Sequence, residues 1–208
     1  SESLAEGIKL FNRRQYLEAI EIFLESAAVH SAEEGITYYY IGESYYNLAL
    51  STQEEEQART YFTTAVEYLQ EATESVDLEV QYESKVSLAR YKIGWSYYRL
   101  AELSQDCESS LASALRFFEM VANCGDMRLN SLTGYMAAET SFRLAQLAWQ
   151  KAVVYYGNPR REQLKRADEY REKGIQYIKQ VAENESADKF VTVASRLRML
   201  DAAYLEKK

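Results

Sequence analysis

The stretch GIKLFNRRQYLEAIEIF, residues 7–23, decides the fold. It holds two apolar-periodic runs separated by a polar turn, NRRQ. A small residue, Gly7, is followed by Leu10, Phe11 and Asn12. The second run starts at Ala19 and places Ile22 and Phe23 one turn later. Spacings of three and four residues put such side chains on one helical face. A small residue lets a neighbouring helix approach closely, and an aromatic one turn away fills the gap beside it. The segment therefore predicts two short helices packed as a hairpin.

The same phrase returns along the chain. GESYYN (42–47), GWSYYR (94–99) and AETSFR (138–143) repeat the first run, and ARTYFTTAV from Ala58, ALRFFEMVA from Ala114 and ADEYREKGI from Ala167 repeat the second. Phe23, Phe62 and Phe118 occupy one position of the second run, where the last copy has Arg171. One hairpin cannot bury its apolar face alone, so hairpins of this kind stack into a continuous core. The 208 residues would accommodate about six units of 34 residues, but the pattern marks four. From small residue to Ala the separation is 12, 16, 20 and 29 residues in successive pairs, so the added length falls where each hairpin turns.

These phrases resemble the tetratricopeptide repeat (TPR) family. Gly7, Tyr16, Ala19 and Phe23 stand at the family's spacing, followed by TYYYIGESYYNLA and RYKIGWSYYRLA. The resemblance covers roughly residues 2–183 and implies an all-α, right-handed solenoid of four antiparallel helix pairs. FVTVASRLRMLDAAYL, within 186–206, looks like the terminal capping helix of such arrays. The fourth pair departs from the pattern at Ala138, Ser141 and Arg171.

Composition agrees with a helical reading. Hydrophobic residues make up 47% and charged residues 27% of the chain, with one Pro and eight Gly, too few breakers for a sandwich or barrel. Helices are expected at 2–13, 16–29, 32–50, 53–74, 78–103, 107–123, 129–155, 160–183 and 186–206, in one domain. Ser31-Ala-Glu-Glu34 and Thr52-Gln-Glu-Glu55 read as capping boxes, Asp77 and Asn130 as N-caps, and Asn158-Pro159 as a helix start. Gly125 and Gly157 follow periodic runs as C-terminal caps do. Cys107 and Cys124, at opposite ends of one expected helix, stand about 25 Å apart, beyond disulfide reach.

The net charge of −8 argues against a nucleic-acid binder. No apolar run approaches the ~18 residues of a membrane span, and the opening SESLAEG does not read as a signal peptide. No phosphate-binding glycine loop or H-E-x-x-H motif is present, and two cysteines with one histidine do not make a zinc set. No enzyme activity, cofactor or metal is expected. His30 reads as a helix-end residue, Glu54, Glu55 and Glu56 as acids at a helix start, and Arg160, Arg161, Lys165 and Arg166 as a solvated helix face. Asn184-Glu-Ser186 fits a glycosylation sequon of little specificity.

In TPR proteins the first helix of each pair lines the inner face. Carried onto this sequence, that stripe is Leu4, Ile8, Phe11 and Asn12; then Tyr39, Glu43, Tyr46 and Asn47; then Tyr91, Trp95, Tyr98 and Arg99; then Tyr135, Glu139, Phe142 and Arg143. Tyr, Trp and Arg are the residues that dominate binding hot spots. The expected function is a non-catalytic scaffold that binds a partner peptide or helix along these aromatics. Lys is absent from the mapped stripe, so a lysine clamp on a terminal carboxylate is not expected. YYYIGESYYNLA and YKIGWSYYRLA look like TPR proteins of the bacterial cell envelope, which implies a periplasmic or envelope adaptor, with a cytoplasmic location as the alternative. The alternative is a small-ligand-binding component of a transport system, with the aromatics enclosing the ligand.

Overall fold

The computed structural model describes residues 1–29, 31–104, 107–122 and 124–183, together with 194, 195 and 198. His30, the Asn184 sequon and most of the helix expected over 186–206 lie outside the described residues. The fold is all-α. Nine α-helices run through the described residues: α1 Glu2–Asn12, α2 Tyr16–Val29, α3 Glu34–Ser51, α4 Glu55–Glu74, α5 Val76–Gln81, α6 Glu83–Leu103, α7 Cys107–Val121, α8 Met127–Val154 and α9 Asn158–Glu183. A 3₁₀ turn, Ser31–Glu33, precedes α3. Contacts divide the chain into two compact units, Ser1–Cys107 and Glu108–Lys208.

The Ala and Phe positions of the repeated second runs belong to the cores of the two units. Ala19, Ala58, Ala114 and Ala167 are buried, Phe23, Phe62 and Phe118 are almost fully enclosed, and Arg171 is exposed. In the first unit α2 lies against α1 and α3, and α4 against α3 and α6. Gly7 sits under the Phe23 ring, where a Cβ would come within 2.6 Å of Cδ1. Phe23 stacks on Tyr40 of α3 at 5.5 Å, and Tyr40 meets Phe11 of α1 at 5.4 Å. These three rings join α1, α2 and α3.

The register of the later hairpins differs from the alignment on Ala58. Gly42 faces Leu69, with room for no Cβ beside Leu69 Cγ (2.6 Å) or its backbone N (3.0 Å), whereas Phe62 packs against Tyr46 at 6.3 Å. Gly42 and Leu69 are 27 positions apart, against 16 for Gly7 and Phe23. The difference of 11 residues is about three helical turns. The second hairpin therefore continues as helix beyond its glycine contact, over Ala49, Ala58 and Phe62. In the second unit α8 and α9 pack side by side. Gly134 meets Val181 and Gly174 lies under Phe142, so here the aromatic comes from the first helix and the glycine from the second.

The helix expected over 78–103 is broken at Tyr82, whose backbone (φ −139°, ψ 45°) leaves the helical region between α5 and α6. Asp77 does not cap its own helix. Its carboxylate accepts from the backbone N–H of Gly35 (3.0 Å) and Ile36 (3.2 Å), closing the start of α3 with a charge that the helix dipole favours. Gly35 permits this approach, since a Cβ there would lie 2.6 Å from Ser75 Cβ. Thr52 Oγ1 accepts from Glu54 N, so α4 opens at Glu55, two residues later than expected. Asp126, not Asn130, caps α8 through Arg128 N and Leu129 N, while Asn130 latches the preceding turn through the Cys124 carbonyl. Gly157 adopts φ +67° ahead of α9; the other left-handed residue among those described is Arg14, φ 62°. Arg14 N donates to Phe11 O and Gln15 N to Leu10 O, the Schellman pair that closes α1.

Candidate functional site

In the first unit the stripe residues of α3 and α6 come together. Tyr39 and Glu43 are buried, and the Tyr39 hydroxyl donates to Glu43 Oε1 at 2.6 Å. The Lys92 ammonium of α6 pairs with the same carboxylate oxygen and stands 5.3 Å from the centre of the Tyr46 ring. Lys85, two turns earlier on α6, stands 4.6 Å from the Tyr39 ring centre and 5.0 Å from that of Tyr40. Asn47 Nδ2 donates to the Glu43 carbonyl at 2.7 Å. Burial, then Tyr91 and Glu43, raise the Tyr46 phenol against the lowering influence of Arg99. Burial and Glu43 also raise Tyr39, and burial raises Tyr91. These phenols stay protonated at neutral pH, and that of Tyr39 serves as a donor.

Lys85 and Lys92 are the residues that reading the stripe helix by helix missed. They belong to α6 but meet the aromatics of α3, and the pattern of one helix carries no signal of that contact.

Along α6, Tyr91, Trp95 and Tyr98 are half-buried and Arg99 is exposed. Trp95 stacks on Tyr98 at 5.9 Å with 23° between the rings. Trp95 Nε1 is shielded from solvent and has no acceptor among the described residues. Arg99 reaches Glu102 at 3.0 Å. On α1, Leu4 is buried, Ile8 and Phe11 are half-buried, and Asn12 is exposed.

The second unit holds the remaining stripe residues on α8. Tyr135 is half-buried, its phenol raised by burial and then by Glu139, with Arg198 opposing. Arg198 donates to both Glu139 oxygens, at 2.7 and 2.8 Å, and its guanidinium lies 5.9 Å from the Phe142 ring. Phe142 covers Gly174, and Arg143 is half-buried. At this level of α8 the chain's own Arg198 occupies the carboxylate and ring together.

The basic run is partly paired. Lys165 lies 3.6 Å from Glu169, whereas Arg166 and Lys151 converge on Glu108 of α7. The bond from Lys151, aided by both positive charges, holds the Glu108 carboxyl below the usual glutamate range despite some desolvation. A depressed carboxylate stabilises the fold above its unfolded pKa and loses that contribution as pH falls through its folded value. Glu108→Gln is therefore expected to cost stability at pH 7, with the deficit shrinking below about pH 4. Urea titrations of both proteins across that range check it; a pH-independent deficit would contradict the linkage.

One exposed feature was not anticipated. Trp149, Val153, Val154, Tyr155 and Tyr156 at the end of α8 are all more than two-fifths exposed, and Arg160 and Arg161 follow on α9. Trp149, Val153 and Tyr156 recur at i, i+4 and i+7, the spacing of a core face, so periodicity alone reads them as buried. Glu54, Glu55 and Glu56 are exposed at the α4 start. Among the described residues no helix is long and apolar enough to cross a membrane, and Cys107 and Cys124 are free thiols.

No protein-family model matches this chain, and neither does any curated protein.

Proposed function

We propose that this chain is a non-catalytic interaction scaffold of TPR-like helix pairs, arranged as a solenoid, that holds a partner peptide or helix on the aromatic edge of α6. The observation that carries this reading is the run of half-buried Tyr91, Trp95 and Tyr98 with exposed Arg99 on α6, where Trp95 stacks on Tyr98 and where Lys92 stands against the Tyr46 ring of α3. Tyr, Trp and Arg side chains offer large apolar area with polar tips, the composition of interface anchors. Tyr39, Glu43 and Lys92 form the buried support beneath that edge. Asn47 and Arg99 flank it, and Tyr135, Phe142 and Arg143 carry the corresponding aromatic stretch within the second unit. The resemblance to envelope TPR proteins supports a periplasmic or cell-envelope location.

Replacing Tyr91, Trp95 and Tyr98 together by Ala tests the reading. Capture of the native partners in a pull-down is expected to fall by at least about tenfold, the loss of two or more hot-spot residues, with helix content retained by circular dichroism. Unchanged capture by a folded variant defeats the proposal. Loss of helix would assign the three rings to packing.

A further inference from the structure

A second surface of the first unit lies one step round α3 from the residues above. A groove of about 430 Å³ opens between α2, α3 and α4. Its apolar ledge is Leu24 with two alanines of α2, its rings are Tyr38 and Tyr68, and its rim is Glu67 and Glu71. Tyr38 and Tyr68 lie 5.8 Å apart, and Tyr68 stacks on Tyr45 at 6.1 Å with 11° between planes. The Tyr38 hydroxyl donates to Glu34 at 2.7 Å. Leu24 is 42% exposed, and Glu67 and Glu71 are exposed.

Two observations say what fits there. The first is charge. Residues 15–84 contain fifteen carboxylates and a single Lys or Arg, Arg59, a net of −14 in a chain whose total is −8. Arg59 is engaged elsewhere, with Glu56 and the Leu103 carbonyl. The second is precedent within the molecule. Glu43 and the Tyr46 ring are filled by Lys92, and Glu139 and the Phe142 ring by Arg198. Each combines a carboxylate with an aromatic face, which attract a cation by charge and by the ring quadrupole. Glu67, Glu71 and Tyr68 present the same combination, and no cation among the described residues meets the two carboxylates.

We infer that this groove binds a basic segment of a partner protein, seating a lysine or arginine between Glu67, Glu71 and Tyr68 and an adjacent apolar side chain on Leu24. The surface is separate from the α6 edge and does not depend on it.

The probe is a short fluorescein-labelled amphipathic peptide of lysine and leucine, followed by anisotropy at physiological salt, with a glutamate–leucine peptide as its counterpart. The lysine peptide binds and the glutamate peptide does not. Glu67→Gln with Glu71→Gln weakens binding by at least about tenfold. Glu54→Gln with Glu55→Gln removes the same charge outside the groove and changes binding by less than about twofold, since exposed charges act weakly through salt. Tyr68→Phe keeps the affinity and Tyr68→Leu reduces it, because the ring face is the contact. The triple α6 variant still binds the peptide, which separates this site from the one above. Equal weakening by the two charge-removing pairs, or no effect of the groove pair, overturns the proposal. So does concentration-dependent self-association of the chain that Glu67→Gln with Glu71→Gln abolishes, for the occupant would then be a second copy.

Discussion

Replacing Lys92 by Met is expected to destabilise the first unit by about 3 kcal/mol. Glu43 is 8% exposed and Lys92 15%, so removing the ammonium leaves a carboxylate in a site closed to water. The Tyr39 hydroxyl still donates to Glu43 and keeps the loss at the lower end of the range for broken buried pairs. Adding Glu43→Gln removes the orphaned charge while retaining an acceptor for Tyr39, so the double variant should recover most of the loss. Chemical denaturation followed by circular dichroism measures both. A neutral Lys92→Met would mean that the pair is not closed in solution. Because Lys92 links α6 to α3, the same substitution is expected to loosen the support beneath Tyr91 and Trp95 as well.

Phe23→Ala is expected to cost about 3–5 kcal/mol. The ring is fully buried, covers Gly7 and stacks on Tyr40, so its removal opens a cavity bounded by three helices. The reverse change, Gly7→Val, over-packs the same space and is expected to cost about 1–3 kcal/mol. Combined, the two should cost less than their sum, since the added methyls enter the volume the ring vacates. Strict additivity would show that Gly7 and Phe23 are not in contact. These residues belong to the stretch on which the helix-pair reading rests, so the cycle also tests that reading at its source.

Much of the core was legible in the sequence, because a small residue followed by an aromatic one turn later has a direct packing meaning. The alanines at 19, 58, 114 and 167 and the phenylalanines at 23, 62 and 118 are interior side chains. Register was not legible. A face recurs every few residues, so sliding one helix of a pair by seven residues keeps the same side inward; Gly42 accordingly meets Leu69 although Phe62 matches the pattern. Nor was the pairing of Lys92 with Glu43, which joins residues 49 positions apart. Of the mapped stripe, adjacency along each helix was readable, as for Trp95 and Tyr98. Depth was not: Tyr39 and Glu43 are buried while Arg99 is exposed, a distinction made by the neighbouring helices and not by the stripe's own spacing. The exposed ridge at Trp149 is the converse case, a core-like pattern with no helix among those described to enclose it.

The Asp77 contact bears on where this chain can be cut. In an array of independent repeats each pair brings its own helix ends, and truncation between pairs leaves the remainder intact. Here the N–H groups that open α3 are satisfied by a residue 42 positions downstream, beyond the end of α4. A fragment terminated after Glu74 would contain all of α3 and α4 yet lack the acceptor for two backbone donors. The start of the second pair is thus capped by the segment that follows it. Domain boundaries drawn by repeat counting alone would fall on the wrong side of that residue.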